Sequence, residues 1–168
     1  MNAITSQDQK KSVITDPYEK GYQFEEYITK LFNARRFKLE KWHKSQRIES
    51  GLYLTGMSHP DLELIFVGRQ KYRFAVECKW RKELLNGKVS WVNSYNQITH
   101  YKNFQSCNRI PVFIAIGIGG EPSAPERLFL TPLDKISGFT EVYESELIPY
   151  TRNPSHKFFY DTVQLKLF

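Results

Sequence analysis

Residues 61–80 read DLELIFVGRQKYRFAVECKW. Two strand-like runs, DLELIFV and YRFAVECKW, are separated by Gly68, Arg69, Gln70 and Lys71, a turn-like stretch that predicts an antiparallel hairpin. Strand side chains alternate between faces, so Phe74, Val76, Cys78 and Trp80 share one side while Ala75, Glu77 and Lys79 share the other. On the first strand Leu62, Leu64 and Phe66 form the apolar face, opposite Asp61, Glu63 and Ile65. Directly opposed residues of an antiparallel pair lie on the same face, and the two apolar faces must coincide. Two registers satisfy this with a short loop: one sets Asp61 across from Glu77, the other sets it across from Lys79. Either way the three groups fall within about 4.5 to 8 Å between Cβ atoms.

Two carboxylates that close repel each other unless a cation or a proton sits between them. Hard oxygen ligands with few histidines nearby suit Mg²⁺ or Mn²⁺, which keep several waters and share substrate phosphate oxygens. Lys79 beside them would orient or deprotonate an attacking water, or neutralise charge in the transition state. The competing reading is a Glu63, Glu77 and Lys79 salt-bridge network on an exposed hairpin face.

Upstream, the first fifteen residues are polar and aperiodic, a flexible lead-in, and residues 16–168 are expected to form one domain. Asp16 as N-cap, Pro17 at the first helical position and Glu19 three residues after the cap predict a helix start. Phe24, Tyr27, Ile28, Leu31 and Phe32 then draw an apolar stripe at helical spacing. RFKLEKWHK suggests a short strand or edge segment, and ESGLYLTGMSHP reads as strand or loop. Downstream, SYNQITHYKNFQSC reads as a helix of about three turns, PVFIAIGI as a strand buried on both faces, and RLFLTPL as another strand. TVQLKLF alternates Val163, Leu165 and Leu167 with polar partners, so a closing strand is expected. The alternation of strands and helices predicts an α/β fold with a central mixed β-sheet flanked by helices.

Composition narrows the function classes. The chain has 24 Lys and Arg against 18 Asp and Glu, a net charge of +6, which favours a polyanionic partner. Two basic segments concentrate that charge, one from Arg35 to Arg47 and one from Arg69 to Lys82, the latter including Arg81 and Lys82. No apolar run approaches the roughly 18 residues of a membrane span, and the N-terminus lacks the apolar core of a signal peptide. Cys78 and Cys107 form no C-x-x-C pair, so a reducing cytoplasm is expected. His43, His59, His100 and His156 are scattered without zinc-site spacing, and Walker, dinucleotide and serine-hydrolase motifs are missing.

HPDLEL followed by FAVECKW resembles the signature of the PD-(D/E)XK nuclease superfamily, the restriction-endonuclease-like fold, with Pro60-Asp61 and Glu77-Cys78-Lys79 as its elements. GYQFEEYITKLF is similar to that family's first helix, and helical geometry selects Glu25, at the edge of the apolar stripe, over Glu26. QITHY matches the Q-x-x-x-Y helix of the RecB-like branch, with Gln97 and Tyr101 on one helical face. The resemblance covers about residues 16 to 136. It implies that Asp61, Glu77 and the main-chain carbonyl of Cys78 ligate the metal, that Lys79 serves the nucleophilic water, and that Glu25, Gln97 and Tyr101 support metal or DNA. The Cys78 thiol points to the apolar face and is expected to act as a small hydrophobe.

The expectation is a metal-dependent DNA endonuclease, with RNA open as a substrate and Trp42, Trp80 or Trp91 helping to hold it. The alternative is a catalytically silent nucleic-acid-binding or assembly module on the same fold. A homodimer would supply two active sites for a double-strand cut, and a partner protein would supply targeting.

Overall fold

The computed structural model describes residues 16–43, 46–47, 53–54 and 59–168. The lead-in before Asp16 lies outside these residues, as does most of the stretch from 48 to 58.

Helix α1 spans Pro17–Leu31 and starts as the sequence dictates: Asp16 accepts a hydrogen bond from the Tyr18 N–H at 3.0 Å, and Pro17 occupies the first turn, where its missing N–H costs nothing. Phe24, Ile28, Leu31 and Phe32 are buried along the expected stripe.

Six strands make the central sheet: β1 (Phe37–Trp42), β2 (Leu62–Val67), β3 (Lys71–Arg81), β4 (Val112–Ile118), β5 (Arg127–Pro132) and β6 (Thr151–Arg152). They lie side by side in chain order, and only β3 and β4 run parallel. Parallel neighbours need a crossover, which helix α2, Tyr95–Asn108, provides. The β2–β3 hairpin takes the register that pairs Leu62 with Val76, so its continuation sets Asp61 opposite Glu77. Of the two registers open to the sequence, this one brings the acids together.

Each face of the sheet has its own core. Leu62, Leu64, Phe66, Phe74, Val76 and Cys78 pack under α1, while Ala75, Ile114, Ile116 and Ile118 pack with Ile98, Tyr101 and Phe104 of α2. Strand β4 is therefore buried on both sides, as PVFIAIGI predicts. Gly117 lies under α1, where an added Cβ would sit 2.8 Å from Phe24 Cζ. Its lack of a side chain sets how closely α1, and with it Glu25, approaches the sheet. Gly117→Ala is expected to cost about 1–3 kcal/mol of stability by overpacking, measurable by urea unfolding.

Strand β1 carries a bulge between Leu39 and Lys41. The extra residue, Glu40, changes which side chains face which way: Lys41 falls opposite Glu63, and Trp42 falls opposite Leu62 on the α1 side.

RLFLTPL is extended as expected through Pro132, as β5, and Leu133–Ile136 then turns into a short helix. Two expectations need correction. The closing strand shrinks to Lys166–Leu167 paired with Tyr160–Asp161, because Asp161 Oδ1 accepts from the Val163 and Gln164 N–H groups and fixes a turn where alternation suggested a strand. Trp91 is fully buried and its indole N–H donates to the Phe139 carbonyl at 2.7 Å, so it is a core residue and touches no substrate.

Candidate active site

The site forms where β2 begins and β3 runs on past it. In β3 the Ala75 N–H donates to the Pro111 carbonyl and the Arg81 carbonyl accepts from the Gly119 N–H, so odd-numbered residues bond toward β4. Cys78 must then direct its N–H and C=O to the opposite edge. There the Asp61 carboxylate takes the place of a strand partner, with Oδ2 accepting from the Cys78 N–H at 2.8 Å. Asp61 is itself pinned by its carbonyl, which accepts from the His43 N–H at 2.8 Å. Burial, followed by the charges of Glu77 and Glu25, pushes the Asp61 carboxyl well above the usual carboxylate range, against the pull of Lys79 and the Cys78 amide.

Glu77 is 2% exposed. Its Oε1 accepts from the Tyr101 hydroxyl at 2.6 Å and forms an ion pair with the Lys79 ammonium. Its Oε2 is buried and has no hydrogen-bond partner among the described residues. A buried carboxylate oxygen without a donor is costly. Lys79 is pulled down by burial, but Glu77 and Asp61 outweigh this and hold the amine above its ordinary value. It is therefore a protonated donor, which favours charge neutralisation and water orientation over deprotonation of the water.

Glu25 reaches the same place from α1. It lines a cleft of about 420 Å³ together with Asp61, Cys78, Lys79, Arg81 and Lys82. Glu26 instead pairs with Lys30 on the exposed side of the helix. Arg81 is half-buried, with one guanidinium N–H on the Trp80 carbonyl, and burial lowers its pKa; Lys82 is exposed. The Cys78 thiol is buried and burial, with the neighbouring acids, pushes it up, so it stays protonated.

The Q-x-x-x-Y pair separates. Tyr101 is buried with its hydroxyl on Glu77, and burial and that contact keep the phenol neutral. Gln97 turns back to the segment ahead of the helix, where its Oε1 accepts from the Asn93 N–H at 2.8 Å.

Trp42 has a role the sequence does not indicate. Its indole N–H donates to Glu25 Oε2 at 2.6 Å, and its ring stacks on Tyr22 with centroids 5.3 Å apart and planes 9° apart. The bulge at Glu40 delivers it to this face, and a one-residue bulge leaves no mark in the hydrophobic pattern. Trp42→Phe keeps the stack and removes the donor. An activity that depends on Glu25 is expected to fall about 10-fold or more, as for partners that orient a functional carboxylate, with the unfolding free energy within about 1 kcal/mol of wild type.

Glu63 is also buried, but it is saturated: His43 Nε2 lies 2.8 Å, Lys41 Nζ 3.2 Å and Arg73 Nη2 3.5 Å from its carboxylate oxygens. The salt-bridge network weighed for the hairpin therefore divides, with Glu63 in one group and Glu77 with Lys79 in another.

Among the described residues, no three His, Cys, Asp or Glu side chains converge closely enough to cage a metal ion alone. The donors present do fit a hydrated hard cation: one unpartnered Glu77 oxygen, the Asp61 carboxylate held at elevated pKa by burial and like charge, and the strand edge where the Cys78 carbonyl emerges.

No protein-family model matches the sequence, and no curated protein matches it either. Among solved structures the chain is similar to Hjc of Archaeoglobus fulgidus, a Holliday junction resolvase from an archaeal hyperthermophile, with a TM-score of 0.51 and 17% sequence identity. The match covers 80% of this chain and 91% of that one. The chain has the same restriction-endonuclease-like architecture, a mixed sheet flanked by helices.

Proposed function

We propose that the protein is a Mg²⁺- or Mn²⁺-dependent endonuclease that hydrolyses DNA phosphodiester bonds by attack of an activated water. The observation that carries this reading is the buried, unpartnered Glu77 Oε2 in a hairpin whose register, continued by one residue, sets Asp61 opposite Glu77. Asp61, Glu77 and the Cys78 carbonyl would hold the ion, with Glu25 joining directly or through water. A bound divalent ion supplies Lewis acidity and lowers the pKa of water.

The chain's own groups do the rest. Tyr101 fixes the Glu77 carboxylate by its hydrogen bond, so the second oxygen keeps one orientation. Trp42 does the same for Glu25. Lys79, held protonated beside the acids, orients the water and offsets charge as the phosphate gains a fifth oxygen. Arg81 and Lys82, at the rim of the cleft, meet the flanking phosphates.

The archaeal neighbour resolves Holliday junctions, which makes branched DNA the first substrate to test beside plasmid, linear duplex and RNA. Cleavage is expected with Mg²⁺ or Mn²⁺ and none with EDTA. Binding without cleavage under every metal would instead favour a silent nucleic-acid-binding module.

A further inference from the structure

The two basic segments of the sequence begin side by side at the end of the sheet away from Asp61. Asn33 builds one turn there: its side-chain oxygen accepts from the Arg35 N–H at 2.9 Å and its carbonyl accepts from the Arg36 N–H at 2.8 Å. The β2–β3 hairpin turn, carrying Arg69, lies alongside, and the two turns are locked by the Val67 N–H donating to the Arg36 carbonyl at 2.7 Å. Arg36 and Arg69 line a cleft of about 590 Å³ with Gln70, Tyr72, Phe159 and Asp161. Phe159 is 62% exposed on a ribbon held by two 2.7 Å backbone bonds to Phe168.

The charge of this cleft is uncommitted. Among the described residues, Arg35, Arg36, Arg69 and Lys71 are all exposed and none pairs with a carboxylate within 4.0 Å, whereas Lys41, Arg73 and Arg127 elsewhere do pair. Asp161 is the one acid of the cleft lining, and its Oδ1 is occupied by two backbone N–H groups. Arg36 and Arg69 bring unpaired charge to the cleft from two interlocked turns, Arg35 and Lys71 adjoin them in sequence, and together they suit phosphate.

The separation defines the ligand. The six residues of β2 separate the cleft from Asp61, which at roughly 3.3 Å per residue is about 20 Å. That is the length of about six base pairs at about 3.4 Å each.

We propose that this cleft is a second nucleic-acid contact, which takes the backbone phosphates of a duplex arm about six base pairs from the bond cut at Asp61 and Glu77. The inference rests on the endonuclease reading and adds that substrate arms must exceed a minimum length. Without the distal phosphates only the contacts at the acidic site remain.

The test measures binding of hairpin-capped duplexes from about 4 to about 24 base pairs by fluorescence anisotropy, using wild type, Arg36→Glu/Arg69→Glu and a charge-matched Lys102→Glu/Lys135→Glu control on exposed positions of the α2 side. The Arg36→Glu/Arg69→Glu variant is expected to bind the longest duplex about 10-fold more weakly or worse and the shortest within about 2-fold of wild type. Its slope of log affinity on log salt should drop by about 2 on the long duplex. Equal loss at every length, no loss at any length, or the same length-dependent loss in the control overturns the proposal. A wild type that cleaves no nucleic acid under any metal defeats the endonuclease reading itself. A wild type that cleaves while the arginine variant behaves normally defeats the distal contact alone.

Discussion

Asp61→Asn is expected to reduce cleavage by about 10³-fold or more while making the metal-free protein more stable at neutral pH. Asparagine keeps the oxygen that accepts from the Cys78 N–H, so the local backbone stays in place. It removes the negative charge that the proposed ion and the developing phosphate charge require. The gain in stability has the opposite origin. Burial, Glu77 and Glu25 raise the Asp61 pKa in the folded state above its ordinary value of 3.8. Below that value both states are protonated and the group has no effect. As pH rises through it, the unfolded chain releases the proton freely while the folded one resists, and stability falls until the folded pKa is passed. The asparagine variant escapes that fall. Thermal unfolding in EDTA at pH 8 should show a higher midpoint than wild type, by about 2–4 °C for each kcal/mol relieved, and the difference should shrink toward pH 4. A variant that cleaves within about 10-fold of wild type removes Asp61 from the chemistry.

Lys79→Met carries the second large effect, on two properties at once. The lost ammonium no longer offsets charge at the phosphate, and cleavage should fall about 10²- to 10⁴-fold. Glu77 is left buried with only the Tyr101 hydroxyl on one oxygen, a break in a buried ion pair that typically costs about 3–5 kcal/mol. The two effects come apart in the double variant Lys79→Met/Glu77→Gln. It should regain most of the stability, because no buried charge is stranded, and regain none of the activity. Calorimetric titration of Lys79→Met with Mn²⁺ should give an affinity no weaker than wild type, since the acids are intact and a competing cation is gone. Equally weakened Mn²⁺ binding would make Lys79 a support for the ligands and not a partner of the water.

Period-two alternation in both hairpin strands identifies the face on which Glu77 and Lys79 lie, and it leaves two registers. The choice between them depends on the turn at Gly68–Gln70, where the N–H of Gly68 meets the Gln70 carbonyl. Helical periodicity likewise separates Glu25 from Glu26, because one side of that helix must be buried. Other parts lack a periodic signal. The bulge at Glu40 inverts the strand's pattern within one residue, so Trp42 looks no different from any surface tryptophan. Gln97 and Tyr101 share a spacing, yet only the longer, apolar tyrosine is drawn across the core to Glu77, while the amide oxygen accepts from the Asn93 N–H just ahead of the helix. Trp91 is indistinguishable by type from a substrate-facing ring until the Phe139 carbonyl is seen to receive its N–H. At the C-terminus, Asp161 overrides alternation by binding backbone amides that a strand would have used.

The ion pair between Lys79 and Glu77 implies an order of assembly. The ammonium acts as a resident counter-ion that lets the acidic centre fold and persist without metal. It also leaves an incoming dication fewer unclaimed oxygens than the acids would offer by themselves. A substrate phosphate would supply further oxygens and give the lysine an alternative anion. On the proposed function, loading of metal and loading of nucleic acid should therefore reinforce each other, making the protein quiescent toward free divalent ions until a substrate arrives.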